Sequence, residues 1–517
     1  MPVSVFLFNL RGFLPNANFR IGHKEKCSLD SPAHITRRTA LKRTGALAVA
    51  LSALEAVGPF SFSPQRADAA MRPSDIQFDI SAFLAVPPQT YGSGVPFQMP
   101  PVHTIFLTAA LERTPTRADQ AEMNRALEAL EQFYPWSAAH LVTFVAYGLP
   151  YFDRLPRGLV SRHMPRLASD PSRYVLEEAR PGPTDVSPAN PGISKLRYHV
   201  GVVIERNDML FTLRGDDPKV LADVLAWFGG SGRLRGHAVR SPAWDGLLVF
   251  TSSRHMFVQM GLPKAVAQQH HLPYANYIQH QSPMWMGFAD QQVNGAGPAA
   301  ICTFAGNSAA HLTTAALGDY FDHGSIQHLS HVILDLLQFF DMDTPSSTPG
   351  SDGEFTERVQ YMFHAPPLVG GNQDQYADGG GPALLPNQNR GPHYAARTAQ
   401  GIGTENGERR MGHLSCLQRT SRAADGTPIH IRMDGPGFDT MDVPGGAKVP
   451  KLQFTIFVPS ADFFSTLRTS QASLDLQDKY AVSPSDNGLE RFLTATRRQN
   501  FLVPPRRHRS FPLTEFT

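Results

Sequence analysis

The chain has 517 residues, too many for one ordinary hydrophobic core, and this length indicates two packed domains behind an N-terminal extension. With 42% hydrophobic and 18% charged residues, the composition is that of a globular protein, and 43 Pro with 42 Gly indicate long ordered loops. Basic residues form no stripe in the bulk of the sequence, which argues against nucleic acid as a partner.

The N-terminal extension has the features of an export signal. Arg37 and Arg38 precede a weakly apolar segment, residues 44–53, which is too short to span a bilayer as a stable helix. Small residues at 67–69 suit a signal peptidase. The segment resembles the twin-arginine signal, with Ala40 where that family prefers Phe. This resemblance implies that residues 1–69 are a signal peptide, that the twin-arginine translocase is a partner, and that the protein is periplasmic or extracellular. A membrane anchor is the alternative.

Removal of residues 1–69 changes the charge and the cysteine content. The formal charge falls from +2 to −3, because 38 basic and 41 acidic residues remain. Cys27 is lost with the signal, whereas Cys302 and Cys416 stay as either one disulfide or two buried thiols. Two cysteines are too few for a cysteine-based zinc or iron–sulfur centre.

The first half of the mature chain predicts alternating strands and helices. Apolar periodicity predicts helices over 117–133 and 217–228. Runs rich in β-branched and aromatic residues predict strands over 103–109, 139–147, 197–205 and 246–251. The resulting order, β-α-β-β-α-β, is that of a ferredoxin-like unit, in which an antiparallel sheet lies beneath two helices.

The second half repeats this order less clearly. Residues 326–340 predict a strand that runs into a helix, and residues 452–458 predict a strand before a helix over 461–468. Between them, residues 341–408 predict a long loop. We therefore expect an α+β protein of two ferredoxin-like domains, 70–295 and 296–517. The alternative is an unrelated second domain.

Three widely separated residues are candidates for a shared site. Asp290 lies in Gly287-Phe288-Ala-Asp-Gln291, a loop at the expected domain boundary. His413 follows far downstream in Met-Gly-His-Leu-Ser, and Arg432 comes nineteen residues later, shortly before a Gly-Pro-Gly-Phe turn. On its own, Asp290 is more readily explained as a turn-capping residue.

Taken in this order, the acid, the histidine and the arginine resemble the dye-decolorizing peroxidases, and the resemblance extends over most of the mature chain. It implies a dimeric α+β barrel-type fold that binds haem b, with His413 as the proximal iron ligand and Asp290 and Arg432 on the distal side. Gln291 departs from the final glycine of the family's Gly-x-x-Asp-Gly loop.

The same resemblance implies further contacts and partners. Gly287 and Phe288 would lie at the haem face, and Arg409 and Arg410 would lie near the haem propionates. Hydrogen peroxide and an organic reductant would be the substrates, and homo-oligomerisation stays open.

These residue types match the chemistry. A neutral imidazole can ligate iron while its other nitrogen donates to an acceptor, which the sequence does not identify. A carboxylate can move a proton between the two peroxide oxygens, and a permanently charged guanidinium can stabilise the developing negative charge.

Other basic residues compete for these roles. His328 and His331 would share one face if this segment were helical, and His323 lies just before them. Weaker candidates are His270, His271 and His364. The basic residues over 497–509 are expected to form a solvated edge, and contact with haem propionates is the alternative. Two other functions also remain open: a haem- or porphyrin-binding protein without peroxidase activity, and a metal-free exported binding protein.

Overall fold

The structure is a computed structural model, and it describes part of the chain. The described residues are 45–51, 54, 73–79, 89–90, 96–97, 100–181, 193–280, 282–286, 299–306, 312–342, 358, 361–362, 402–405, 407–413, 430–472, 477–484 and 486–517. Residues 36–517 belong to one compact unit.

A ten-stranded, mainly antiparallel sheet organises this unit. Its strands are β1 His103–Leu111, β2 Val142–Gly148, β3 Val203–Ile204, β4 Met209–Gly215, β5 Leu248–Phe257, β6 Ser325–Leu334, β9 Ile431–Arg432, β10 Gly435–Asp439, β11 Val449–Val458 and β12 Leu493–Val503. A separate hairpin consists of β7 Ile402–Glu405 and β8 Glu408–Met411. The main order is β9-β11-β6-β12-β2-β4-β1-β5, with β10 beside β11 and β3 beside β12.

Helices pack beside these strands. Their bounds are α1 Arg117–Phe133, α2 Leu149–Asp153, α3 Arg157–His163, α4 Pro218–Phe228, α5 Leu262–Gln269, α6 Leu336–Phe339, α7 Asp462–Ala472 and α8 Gln477–Tyr480. Among the described residues, no helix has both the length and the apolar character needed to cross a membrane.

The predicted helix α1 is confirmed with the same bounds. Thr116 and Asp119 form a reciprocal capping box, which satisfies backbone donors at the first turn. Met123, Leu127 and Leu130 are buried on one side, as their spacing predicts. The sequence therefore specifies both the start and the packed face of this helix.

The predicted strand over 197–205 is wrong in extent. Only Val203 and Ile204 form a strand there, and they pair with Arg497 and Arg498 of β12. The long strand of this region is β4, which lies between β1 and β2. All of β4 is buried, so its sequence lacks the alternation of polar and apolar residues that marks a half-exposed strand.

The two halves of the chain form one continuous sheet. They meet where β12 pairs with β2 through Phe501↔Gly148 and Leu502↔Tyr147. The α+β class is confirmed. The boundary between 295 and 296 stays a prediction, since residues 287–298 lie outside the described part.

The basic residues near the C-terminus do not form the expected solvated edge. Arg497 binds Asp442 through two 2.7 Å hydrogen bonds, and buried Arg498 lies over the Phe464 ring. Arg506 donates to Glu131 at 2.6 Å. The run has a structural role because its charges pair with carboxylates from distant elements.

Candidate functional site

The described residues contain part of the predicted site. Asp290, Gly287, Phe288 and Gln291 lie outside them, as does most of the 341–408 loop. His413, Arg432, Arg409 and Arg410 lie within them. The predicted distal acid therefore stays a prediction, while the surroundings of the histidine and the arginines can be described.

A buried carboxylate anchors the hairpin that leads to His413. Glu405, at the end of β7, accepts hydrogen bonds from Arg358 at 2.5 and 2.8 Å, from Tyr361 at 2.5 Å and from Arg491. Burial raises the pKa of Glu405, but the charges of Arg358 and Arg491 outweigh burial and lower the pKa to about 2. Glu405 is therefore an anion at neutral pH and holds the hairpin against two other segments.

Glycines allow this hairpin to approach Tyr361 closely. A Cβ atom on Gly412 would lie 2.0 Å from the Tyr361 carbonyl oxygen, and one on Gly403 would lie 2.3 Å from the Tyr361 Cβ. On the other side, the Met411 amide donates to Asn487 Oδ1 at 2.8 Å. These contacts fix the backbone directly before His413.

His413 has a buried Nδ1 atom, although the residue as a whole keeps some exposed surface. Burial and the nearby charge of Arg432 lower its pKa, a hydrogen bond with the Gln471 side chain opposes them, and the resulting pKa is about 3. At neutral pH the ring is therefore an uncharged imidazole, the form that ligates metals.

Gln471 is the residue near His413 that sequence reasoning missed. It lies on α7, and its side chain is buried. Gly488, with φ of +58°, makes room for it, since a Cβ there would lie 2.1 Å from Gln471 Nε2. No local motif links Gln471 to His413; only the packing of α7 against the end of the hairpin brings them together.

Arg432 extends from the sheet toward the same helix. It lies opposite Ile456 in the pairing of β9 with β11. His430, two residues earlier, stacks on Phe463 of α7 with ring centroids 5.7 Å apart. Because alternate strand residues share a face, Arg432 lies on the α7 side of the sheet. Arg432 is near enough to His413 for its charge to lower the pKa of that ring, whereas the sequence predicts the two residues on opposite sides of a haem.

The two adjacent arginines of β8 differ in their surroundings. Arg410 is buried, with Nη1 3.4 Å from Asp486 Oδ2. Arg409 has an exposed side chain, and its carbonyl oxygen accepts a hydrogen bond from the Ser483 amide at 2.6 Å. Of the two, Arg409 is better placed to bind an anionic group, because Arg410 already has a carboxylate partner.

The helical interpretation of His328 and His331 is wrong. Both lie on strand β6, where a spacing of three puts them on opposite faces. His328 stacks on Phe464 with ring centroids 3.7 Å apart. His331 Nδ1 lies 2.8 Å from Thr496 Oγ1, and Nε2 lies 3.3 Å from Asp439. Both are core residues with partners from their own chain.

The remaining histidine candidates have structural surroundings. His323 lies beside Asp75 and Asp322, and these three could hold a cation by geometry. Arg507 binds both carboxylates, however, so their charge is already compensated. His270 packs 4.7 Å from the Phe438 ring, and His271 is exposed. His364 lies outside the described residues.

The protein is of the α+β class. Its candidate site contains an uncharged histidine, His413, near an arginine, Arg432, and both lie between the sheet and a helix. The chain belongs to DUF7405, a family of unknown function, whose model matches residues 101–186 and 181–505. No curated protein matches the sequence.

Solved structures that match the fold are peroxidases of the dye-decolorizing type. The encapsulated DyP-type peroxidase from Mycobacterium smegmatis is 15% identical with a TM-score of 0.40, and the match covers 82% of this chain and 98% of that one. A dye-decolorizing peroxidase from Bacteroides thetaiotaomicron is 13% identical with a TM-score of 0.41, covering 81% and 96%. A heme complex of a Rhodococcus jostii DypB variant is 14% identical with a TM-score of 0.41, covering 80% and 96%. At this level of similarity the matches do not assign an activity or a cofactor.

Proposed function

We propose that the protein is an exported haem peroxidase in which His413 would hold the haem iron. The observation that supports this most is the environment of His413: an uncharged ring that is hydrogen-bonded to Gln471 and lies at the end of an anchored hairpin. A ligating histidine needs this combination of a neutral ring and a second contact that fixes its orientation.

The residues present fit haem b in their donor chemistry. His413 supplies a nitrogen ligand, Gln471 orients it, and the exposed Arg409 guanidinium suits a propionate. Bound haem would supply the iron that exchanges electrons with peroxide. The organic reductant would then return those electrons.

Asp290 and Arg432 would handle the peroxide itself. The Asp290 carboxylate would accept a proton from one peroxide oxygen and deliver it to the other oxygen. The Arg432 guanidinium would hold the hydroperoxide anion and stabilise charge on the departing oxygen.

An absorption titration with haem tests the ligand. We expect a Soret band in the wild-type protein and in the His237→Ala control, whose histidine is exposed on a short strand that pairs with Arg233–Leu234. The His413→Ala variant should lose the band or shift it strongly. If the His413→Ala spectrum equals that of the wild type, His413 is not the ligand; if no variant binds haem, the proposal fails and a metal-free binding protein is left.

Peroxide turnover separates an active peroxidase from a haem-binding protein. Asp290→Asn and Arg432→Leu should keep the Soret band and lower turnover by roughly 10²-fold or more, the usual contribution of a positioned proton carrier or charge-stabilising donor. Haem binding without turnover in the wild type would favour the haem-binding alternative, for which the Gln291 departure is the motivating feature.

Export through the twin-arginine route belongs to the same proposal. The double variant Arg37→Lys, Arg38→Lys should accumulate inside the cell, whereas the wild type should be recovered outside it with an N-terminus at or near Ala70. Peptide mass analysis of both fractions measures this. Equal export of the two proteins would contradict a twin-arginine signal.

A further inference from the structure

The apolar export segment lies in the largest hydrophobic cluster of the structure. Residues 45–51 are helical, and so is residue 54. Ala46, Leu47, Ala50 and Leu54 are at most 8% exposed and belong to one apolar cluster with residues of α1 and α4. A segment that the sequence marks for the translocase is thus packed as part of the folded domain.

The burial pattern is that of a helix with one face packed against the rest of the domain and the other face exposed. The buried positions 46, 47, 50 and 54 follow the spacing of one helix face, whereas Gly45, Ala48 and Val49 are exposed. Val49 is 49% exposed and Leu47 only 6%, although both are large apolar residues. The segment therefore has a defined docking face.

The receiving surface is formed at the end of α4. Gly229, which follows α4 as its C-cap, lies so close that a Cβ atom there would be 3.2 Å from Leu47 Cδ1. The cluster also contains Leu225 and Phe228 of α4 and Met123 of α1. A glycine at 229 lets the export helix approach the helix end without a side chain between them.

We propose that the export segment docks through residues 46, 47, 50 and 54 on the apolar surface beside Gly229 at the end of α4 of its own folded domain, and that the export proposed above requires its release. Docking removes an apolar segment from water in the folded precursor before export. If it were exposed, such a segment would promote association between precursor molecules. Two of the four buried positions are alanines and the other two are leucines, so the contact area is limited and the translocase can compete for the segment.

Hydrogen exchange on the full-length precursor tests docking whether or not the protein is exported. The precursor is purified from a host without the translocase, and peptides covering residues 45–54 are followed by mass spectrometry. We expect Leu47→Asn to speed exchange of this segment at least tenfold, while Val49→Asn on the exposed side of the same helix changes it less than twofold. Equal exchange in the two variants would overturn docking.

A change on the receiving surface tests the link to export without altering the signal sequence. Gly229→Leu should displace Leu47, speed exchange of residues 45–54 and shorten the half-time of precursor processing at least twofold. Gly158→Leu is the control, because Gly158 is an exposed helical position with nothing within 4 Å. Faster exchange with unchanged processing would overturn the link to export and leave docking standing; unchanged exchange in Gly229→Leu would overturn docking itself.

Discussion

Two histidines, the buried His331 and the partly buried His413, lie in regions that are built differently. His331 is part of β6, and its partners Thr496 and Asp439 come from β12 and β10 of the same sheet. His413 follows a hairpin, and its partner Gln471 comes from a helix. Backbone hydrogen bonds between strands fix the region around His331. Side-chain hydrogen bonds and close glycine contacts fix the region around His413.

The electrostatic surroundings differ as well. Burial lowers the pKa of His331, the Asp439 bond opposes this, and Lys451 with Arg254 lowers it further. His413 has no such carboxylate among the causes of its shift; its neighbours are an arginine and an amide. The comparison shows how a core histidine is satisfied by a carboxylate and a hydroxyl from strands, while the candidate ligand is held by a neutral group.

The largest expected effect on the free energy of unfolding comes from substitution of Glu405, which anchors the β7–β8 hairpin. Glu405→Gln leaves Arg358 and Arg491 buried without their full counter-charge, so we expect the free energy of unfolding to fall by about 3–5 kcal/mol. Glu408→Gln, an exposed glutamate of the same hairpin, should change it by less than about 0.5 kcal/mol. Urea unfolding measures both, and similar values for the two would mean that Glu405 does not anchor the hairpin.

Acid stability gives a second measure of the same anchor. The folded-state pKa of Glu405, about 2, is below its ordinary value of 4.5, so its contribution is present above pH 4.5 and is lost as the pH falls toward 2. A shift of this size corresponds to about 3 kcal/mol. The stability of Glu405→Gln should therefore depend less on pH in this window than that of the wild type, as chemical unfolding at several pH values would show; parallel curves would contradict it.

Substitutions of the two histidines should have different effects, one on stability and the other on haem binding. His331→Ala removes a ring that bonds Thr496 and Asp439, and we expect a loss of about 1–3 kcal/mol of stability with no direct effect on haem affinity. His413→Ala should show the opposite pattern, with haem affinity lost first. Thermal unfolding and haem titration of both variants check this. Loss of haem binding in both variants alike would mean that the regions are not independent.

Close packing beside His413 predicts a smaller effect. Gly412→Ala places a methyl group against the Tyr361 carbonyl and should cost about 1–3 kcal/mol. Gly201→Ala, at an exposed position with nothing within 4 Å, should be nearly neutral or slightly stabilising. The difference in unfolding midpoint between the two variants is the measurement, and no difference would mean that the backbone moves away freely.

The smallest expected change in structure is at Gln471. Gln471→Glu keeps the size of the side chain but places a carboxylate beside His413, so the pKa of His413 should rise by at least about one unit. An NMR pH titration of the haem-free protein measures this without depending on activity. The control is Gln477→Glu, which makes the same substitution on α8 instead of α7. An unchanged His413 pKa would show that the two side chains do not interact in solution.

Local sequence patterns predicted much of the fold. The capped helix α1, the helix α4 after Asp217 and the strand β11 all follow from periodicity and end signals. Strand β4 was missed because both of its faces are buried, whereas the predicted strand running into a helix over 326–340 is confirmed as β6 and α6. For the site, the sequence identified His413 and Arg432 as candidates but gave no sign of Gln471.

The sequence by itself determined the elements, the α+β class and the residue types available for chemistry, because capping and periodicity act over a few neighbouring residues. Only the tertiary structure decided which distant side chains meet: Glu405 with Arg358 and Arg491, and His413 with Gln471. Such pairs depend on how α7, the β7–β8 hairpin and the sheet pack together. Packing over long sequence separations has no local signature, and it sets the burial and the charges that control the state of His413.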